Sequence, residues 1–413
     1  MHVGIIGGGI VGLCTAYSLL KEGYQVTIFE KEKIGEGCSY GNAGMIVPSH
    51  LVPFSSPGMI SKGIRWMFQS KSPFYVRPAL SLELISWFYL FYKHATSDHV
   101  QYAAPFLNNL SLLSREEYVK LSEELGGGEF GFKEKGLFML FQKKETEKDE
   151  GEMVKLANDH GVEARMMGGE EINHMEPAVD KRVRGGIFFP GDAHLTPHKL
   201  MEKLFQSCIG KGLILKDQTQ VLGFTKKGNN ITGLQTALGL EVLDAVVVAG
   251  GSWSGQLLKT LGINLPLLGG KGYSFTMNHH YNIQIPSILL EERVAVTPMG
   301  ATLRVAGTLE IAGLNKKVNI KKVQGMAEAL PRYYPEMKQA GVERGVWSGF
   351  RPCSPDGLPY LGKLNRHKNV IVATGHGMMG LSLGPGTGKI VASIIKGEDP
   401  LIPMEGYSPN RFQ

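Results

Sequence analysis

Short apolar runs punctuated by glycine clusters, with few long amphipathic stretches, set the pattern of this chain. Residues 3–6 read as a buried strand, and Ile10, Leu13, Tyr17 and Leu20 then recur at helical spacing until Gly23. Residues 25–30 return to a strand pattern. This is a βαβ unit, the building block of an open parallel sheet with helices on its faces. Two helical patterns follow at 82–92 and 108–125, then a strand at 136–141 and a highly charged helical stretch at 143–159 that reads as a surface crossing. Strands are expected at 213–216, 220–226, 231–236 and 242–250, the last valine-rich and therefore central and buried on both faces. A mixed region covers 271–347, a buried strand recurs at 369–373, and a helix closes the pattern at 388–395. The prediction is an α/β chain in which a Rossmann-like domain, discontinuous over 1–75, 150–266 and 350–413, is interleaved with an α+β domain of mixed or antiparallel sheet over 76–149 and 267–349.

Composition narrows the function classes. The 413 residues are 43% hydrophobic and 20% charged, enough for a sizeable core. A net charge of +6 falls short of a nucleic-acid footprint, so no nucleic-acid partner is expected. Four cysteines without a CxxC pair give neither a disulfide framework nor a zinc ribbon and suit a reducing cytoplasm. His194 and His198 flank Thr196-Pro197, a helix-cap pattern that need not put both rings on one face, so no metal is expected. The first residues lack the basic region and long apolar run of a secretory signal, and the aromatic run near Trp87 is too short to span a bilayer. The 54 glycines, near twice the usual share of ~7%, gather where backbone needs positive φ or close approach to a ligand.

Gly7-Gly8-Gly9-Ile10-Val11-Gly12 satisfies G-x-G-x-x-G between a strand and a helix. Gly7 is expected to make the turn, Gly9 to admit a pyrophosphate and Gly12 to pack helix on strand. The anion then sits at the helix N-terminus beside Ile10 and Val11. Glu30 closes the second strand as the acceptor for ribose hydroxyls, followed by Lys31. Both FAD and NAD use this cradle. A second small-residue loop, Ser39 to Met45 with Asn42, Ala43 and Gly44, is placed to lie along a longer cofactor.

On these residues the chain resembles the FAD-dependent D-amino-acid oxidase superfamily, above all its bacterial D-amino-acid dehydrogenase branch. The resemblance extends through Gly191-Asp192, Gly250 to Trp253 and Lys271-Gly272-Tyr273-Ser274. It is sharpest at Arg351-Pro352-Cys353-Ser354-Pro355-Asp356-Gly357 and at Gly375-His376-Gly377-Met378-Met379-Gly380-Leu381. It implies non-covalent FAD, because the position that carries a flavin-linking cysteine in some relatives is Gly349 here. The Asn42–Met45 loop is implied to pass the isoalloxazine, Val221 to contact adenine, and Gly375 to Leu381 to offer amides and a helix dipole where reduction places negative charge. Arg351 is implied to fork the substrate carboxylate, a task for which guanidinium suits better than ammonium. His376, Tyr273 and His50 are candidate neighbours of flavin or substrate, each with a structural reading beside the functional one. The implied reaction moves hydride from Cα of a D-amino acid to flavin N5, giving an imino acid and then a 2-oxo acid and ammonia. A cyclic or secondary amine such as D-proline, hydroxyproline or sarcosine, and a flavin-bearing scaffold subunit, stand as alternatives. The electron acceptor (quinone, carrier or oxygen), peripheral contact with the inner membrane face and the oligomeric state stay open at this stage.

Overall fold

The computed structural model describes residues 1–59, 74–77, 81–278, 280–339 and 345–413. Two sheets organise it. The first has six strands in the order Tyr360–Lys363, Val370–Thr374, Ala245–Val248, His2–Ile6, Gln25–Phe29 and Ile214–Lys216. All neighbours are parallel except the antiparallel edge strand Tyr360–Lys363. Alternation along each strand sorts the core into two layers. Val3, Ile5, Val26, Ile28 and Val247 meet helices Ile10–Lys21, Ser97–Glu124, Pro197–Gly210 and Gly380–Lys396 on one face. Ile6, Phe29, Val246 and Val248 meet a three-stranded meander, Val221–Lys227, Asn230–Thr236 and Gly239–Val242, on the other.

The second sheet has nine strands. Its path runs Val346–Cys353, Leu268–Asn278, Thr302–Ile311, Val294–Met299, Ser287–Leu289, Leu137–Phe141, Gly185–Phe189 and Arg165–Gly168, with Phe74–Val76 paired to Thr302–Ile311. Parallel and antiparallel pairs mix in it. Helix Ile320–Tyr333 seals one face through Val323, Met326, Ala329 and Leu330.

The class and the interleaving agree with the sequence pattern, but several segments lie elsewhere than the pattern put them. Strands Arg165–Gly168 and Gly185–Phe189 pair into the second sheet, so that sheet reaches past residue 150. Helix Ser97–Glu124 packs its Ala103, Leu107, Leu110 and Tyr118 into the first unit's core, although the pattern grouped it with the second. Val242 ends the meander, and the buried central strand is only Ala245–Val248. The last helix begins at Gly380, eight residues before its expected start, despite Gly384, Pro385, Gly386 and Gly388. A Cβ at Gly388 would lie 2.6 Å from the Cys14 backbone and one at Gly386 3.0 Å from Ser114, so the poor helix formers are what lets three helices touch. Helix Leu82–His94 buries Trp87 and Phe91 and turns Leu82, Ile85, Tyr89 and Tyr92 outward. Lys322 is buried, whereas its neighbour Lys321 is exposed. Among the described residues no helix is long and apolar enough to cross a membrane.

Candidate active site

Between the two sheets runs one cavity of about 980 Å³. Its first end is built by the amino-terminal βαβ unit. Gly7 turns at φ +108°, and a Cβ there would come within 2.5 Å of the Ala249 carbonyl. A Cβ at Gly12 would overlap the Gly7 carbonyl, so strand end and helix start touch backbone to backbone. Glu30 is fixed at this end by the Gly8 and Glu32 amides, which donate to its two oxygens at 2.8 and 3.0 Å. Ser39 Oγ accepts from the Ile10 amide at 3.0 Å, tying the second glycine loop to the helix N-terminus. Gly9, Ile10, Val11, Glu30 and Ser39 line the cavity, as do Lys31, Val221, Gly250 and Trp253. The Lys31 ammonium lies 3.3 Å over the Trp253 ring, and Trp253 meets Phe350 edge-on. Gly12 and Gly375 stand behind the lining as packing and turn residues.

Along its middle the cavity is walled by Asn42, Ala43 and Met45. Asn42 Oδ1 accepts from the Gly44 amide at 2.9 Å, and Gly44 turns at φ +79° where any Cβ would overlap the Leu195 carbonyl. Arg304, which the sequence pattern does not single out, is buried and donates to Thr276 Oγ1 and to the carbonyls of Tyr40 and Asn42. It clamps this loop to the second sheet. Opposite, Gly377, Met378, Met379, Gly380 and Leu381 present the start of helix Gly380–Lys396 to the cavity, with Gly375 and Gly377 at positive φ. His376 lines the same wall. Its Nε2 lies 3.0 Å from Thr387 Oγ1, which itself donates to the Leu383 carbonyl, so the ring is the donor and ties loop to helix. Burial pushes its pKa down to about 4.

Arg351, from strand Val346–Cys353, also lines the cavity. Its guanidinium lies on Gly272, where a Cβ would sit 2.5–2.6 Å from three of its atoms, which accounts for a glycine in the Lys271-Gly272-Tyr273 motif. It donates to the carbonyls of Thr308 and Gly307. Successive carbonyls of a regular strand point to opposite sides. Here Thr308 sits at φ +65° in a bulge opposite Gly272, which turns two consecutive carbonyls onto one guanidinium. Among the described residues no carboxylate pairs with Arg351. Asp356, five residues on in the same motif, is held by Arg411 at 2.7 Å. Burial lowers the Arg351 pKa, and the thiols of Cys353 and Cys38 act weakly the other way.

Tyr273 lines the cavity, but its hydroxyl accepts from the Asn319 amide at 3.1 Å and donates to Glu310 at 3.3 Å, with Lys271 buried against the same carboxylate. Burial raises its pKa to about 12. His50 also lines the cavity, near Arg293, and burial lowers its pKa to about 4. Arg293 and Thr308 escape the sequence pattern because neither lies in a motif. Their signal is backbone geometry, positive φ at non-glycine residues beside the cavity, which sequence does not print.

The arrangement suits a dinucleotide joined to a tricyclic ring. A single cavity is lined by Glu30, by Gly7, Gly9, Ile10 and Val11 of the glycine turn, by the Gly377–Leu381 helix start and by Arg351. At Gly349 a Cβ would meet the Trp347 ring, which leaves no space for a side chain that could be joined to a flavin.

Comparison with known proteins shows the family. The profile of the DAO family, described as FAD dependent oxidoreductase, matches residues 2–394. The chain is 31% identical over 421 aligned positions to a D-amino acid dehydrogenase of Neisseria meningitidis, covering 100% of both chains. It is 30% identical to one of Granulibacter bethesdensis, covering 97% of each. Among solved structures, glycine oxidase from Geobacillus kaustophilus superposes with TM-score 0.81 at 24% identity, over 100% of this chain and 98% of that one. L-proline dehydrogenase from P. horikoshii superposes with TM-score 0.78 at 22% identity, over 100% and 97%.

Proposed function

Because the chain belongs to the FAD dependent oxidoreductase (DAO) family, we propose that it dehydrogenates D-amino acids, with Arg351 holding the substrate carboxylate. The observation that carries this reading is a guanidinium in the cavity that is oriented by two backbone carbonyls and has no described acidic partner. Five N–H donors in a fork leave enough directed valence to grip a carboxylate after two are spent on backbone. Non-covalent FAD would be held by Glu30 and Val221 at the adenosine end, the first-turn amides of helix Ile10–Lys21 at the pyrophosphate, and Asn42–Met45 with Gly377–Leu381 around the ring. When bound, FAD supplies a two-electron acceptor for the hydride leaving Cα. The protein's part is positioning: Arg351 fixes one end of the substrate, and the start of helix Gly380–Lys396 aims partial positive charge where negative charge develops.

Oxidation of an α-amine leaves an imine, which water converts to a 2-oxo acid and ammonia, or which stays cyclic when the amine is secondary. The name dehydrogenase, borne by the relatives, supports a quinone or carrier in preference to oxygen as final acceptor. The test is anaerobic mixing of the yellow holoprotein with single D-amino acids, their L-enantiomers, D-proline, sarcosine and glycine. Loss of the flavin absorbance with D-enantiomers is the expected result. Bleaching by none of the amines overturns the reading and leaves a non-catalytic flavin carrier.

A further inference from the structure

A chain of hydrogen bonds leads out of the cavity at His50. Its Nδ1 lies 3.2 Å from Ser49 Oγ, and Ser49 Oγ donates to Asp192 Oδ2 at 2.6 Å, while the Ser49 amide donates to Oδ1 at 3.1 Å. Ser49 and His50 line the cavity, and Asp192 is wholly buried behind them. The directions are set by valence. Ser49 has one hydroxyl proton and spends it on Asp192, so it accepts from His50 Nδ1–H. That tautomer places the lone pair on Nε2, for which the described residues provide no hydrogen-bond partner. The charged groups around the chain are Arg293 and Glu150 on the cavity side, and Arg115, paired with Glu134, behind Asp192.

We propose that His50, Ser49 and Asp192 form a proton relay that strips the substrate ammonium before its hydride leaves. This rests on the reading that the substrate is an amino acid. The nitrogen must be neutral for its lone pair to expel hydride from Cα. In the relay an N–H bond of the ammonium breaks as His50 Nε2–H forms. His50 Nδ1–H breaks as Ser49 O–H forms, and the original Ser49 O–H breaks as Asp192 becomes a neutral acid. One cation and one buried anion become two neutral groups, the direction that desolvation favours. The imidazole alone is a weak base here, with its pKa near 4, but the net acceptor is Asp192, which burial raises to about 7 against the opposing effects of the Ser49 hydrogen bonds and Arg115. His50 is the group that touches substrate. Ser49 and Asp192 act through it.

The test follows flavin reduction by D-alanine against pH in wild type, His50→Gln, Ser49→Ala and Asp192→Asn holoproteins. In wild type kcat/KM falls on the acid side as Asp192 takes its proton. In each variant that limb is lost, the rate near neutrality drops about 10²-fold, and it recovers at high pH where the amine is already neutral. Ser49→Ala keeps both titrating groups and the amide bond to Asp192 while it breaks the wire, so it tests the relay even if Asp192→Asn disturbs the core. A readout independent of turnover is infrared difference spectroscopy on binding 2-methylalanine, which has no Cα hydrogen to lose. A protonated-carboxyl band in wild type that is absent from Asp192→Asn supports the relay. Variants that parallel wild type across pH, or no such band in wild type, overturn it. A wild type that D-alanine does not reduce overturns the substrate reading instead, and the relay with it.

Discussion

At the residue scale, the site turns on one cation with its acid withheld. Arg351 precedes a motif containing Asp356, and proximity in sequence makes these two an obvious pair. The fold gives Asp356 to Arg411 and, among the described residues, gives Arg351 only backbone carbonyls, so the guanidinium keeps donors to spare. Arg351→Ala is expected to cost about 2–5 kcal/mol in kcat/KM for a D-amino acid with FAD content unchanged. Arg351→Lys keeps the charge but loses the fork and should recover only part of that. Steady-state kinetics beside the flavin-to-protein absorbance ratio check both, and unaltered kinetics in Arg351→Ala would show that the carboxylate binds elsewhere. The glycine turn and the place of Glu30 beside it were readable in sequence because their contacts are local, whereas Arg351 was singled out only by the resemblance. The employment of the Tyr273 hydroxyl by Glu310 and of the His376 ring by Thr387 was not, since each partner lies on another segment or a later helical turn.

At the scale of elements, strand Thr302–Ile311 does more than roof the cavity. A β-branched residue in the left-handed region costs roughly 1–2 kcal/mol, and Thr308 bears that cost where its carbonyl reaches Arg351. Glycine adopts the same φ without penalty but no longer enforces it. Thr308→Gly should therefore leave thermal stability equal or higher while KM for substrate rises several-fold with a smaller change in kcat. A residue serving only the core would lower stability and leave KM alone. In helix Gly380–Lys396 local preference and packing are opposed in another way. Its glycines and proline disfavour a helix by propensity, and close contact with Cys14 and Ser114 outweighs that preference because a Cβ there has no room.

For the molecule as a whole, buried ionisable groups set how stability follows pH. His194 and His376 are buried, and desolvation leads the causes that lower each pKa from 6.5 to about 4. Between those values the unfolded chain binds the extra protons, so stability is complete above about pH 6.5 and is lost as pH falls toward 4. Each ring accounts for roughly 3 kcal/mol across that window. Asp192 has the opposite sign: its pKa rises from 3.8 to about 7, the folded state binds the extra proton, and stability declines as pH rises through that range. Chemical denaturation of the holoprotein at a series of pH values should show a flatter profile for His376→Asn and a steeper one for Asp192→Asn. Identical slopes would mean that both groups titrate as they do in the unfolded chain. Sequence by itself determined the local parts: a βαβ cradle whose glycines follow from turn and contact geometry, a valine-rich central strand, and motifs in which neighbouring residues act together. Only the tertiary structure decided which sheet strands Arg165–Gly168 and Gly185–Phe189 join, which acid pairs with which arginine, and that Asp192 lies behind His50. Those outcomes depend on competition among partners far apart in the chain, and they are settled by packing and desolvation, which act on the whole fold at once.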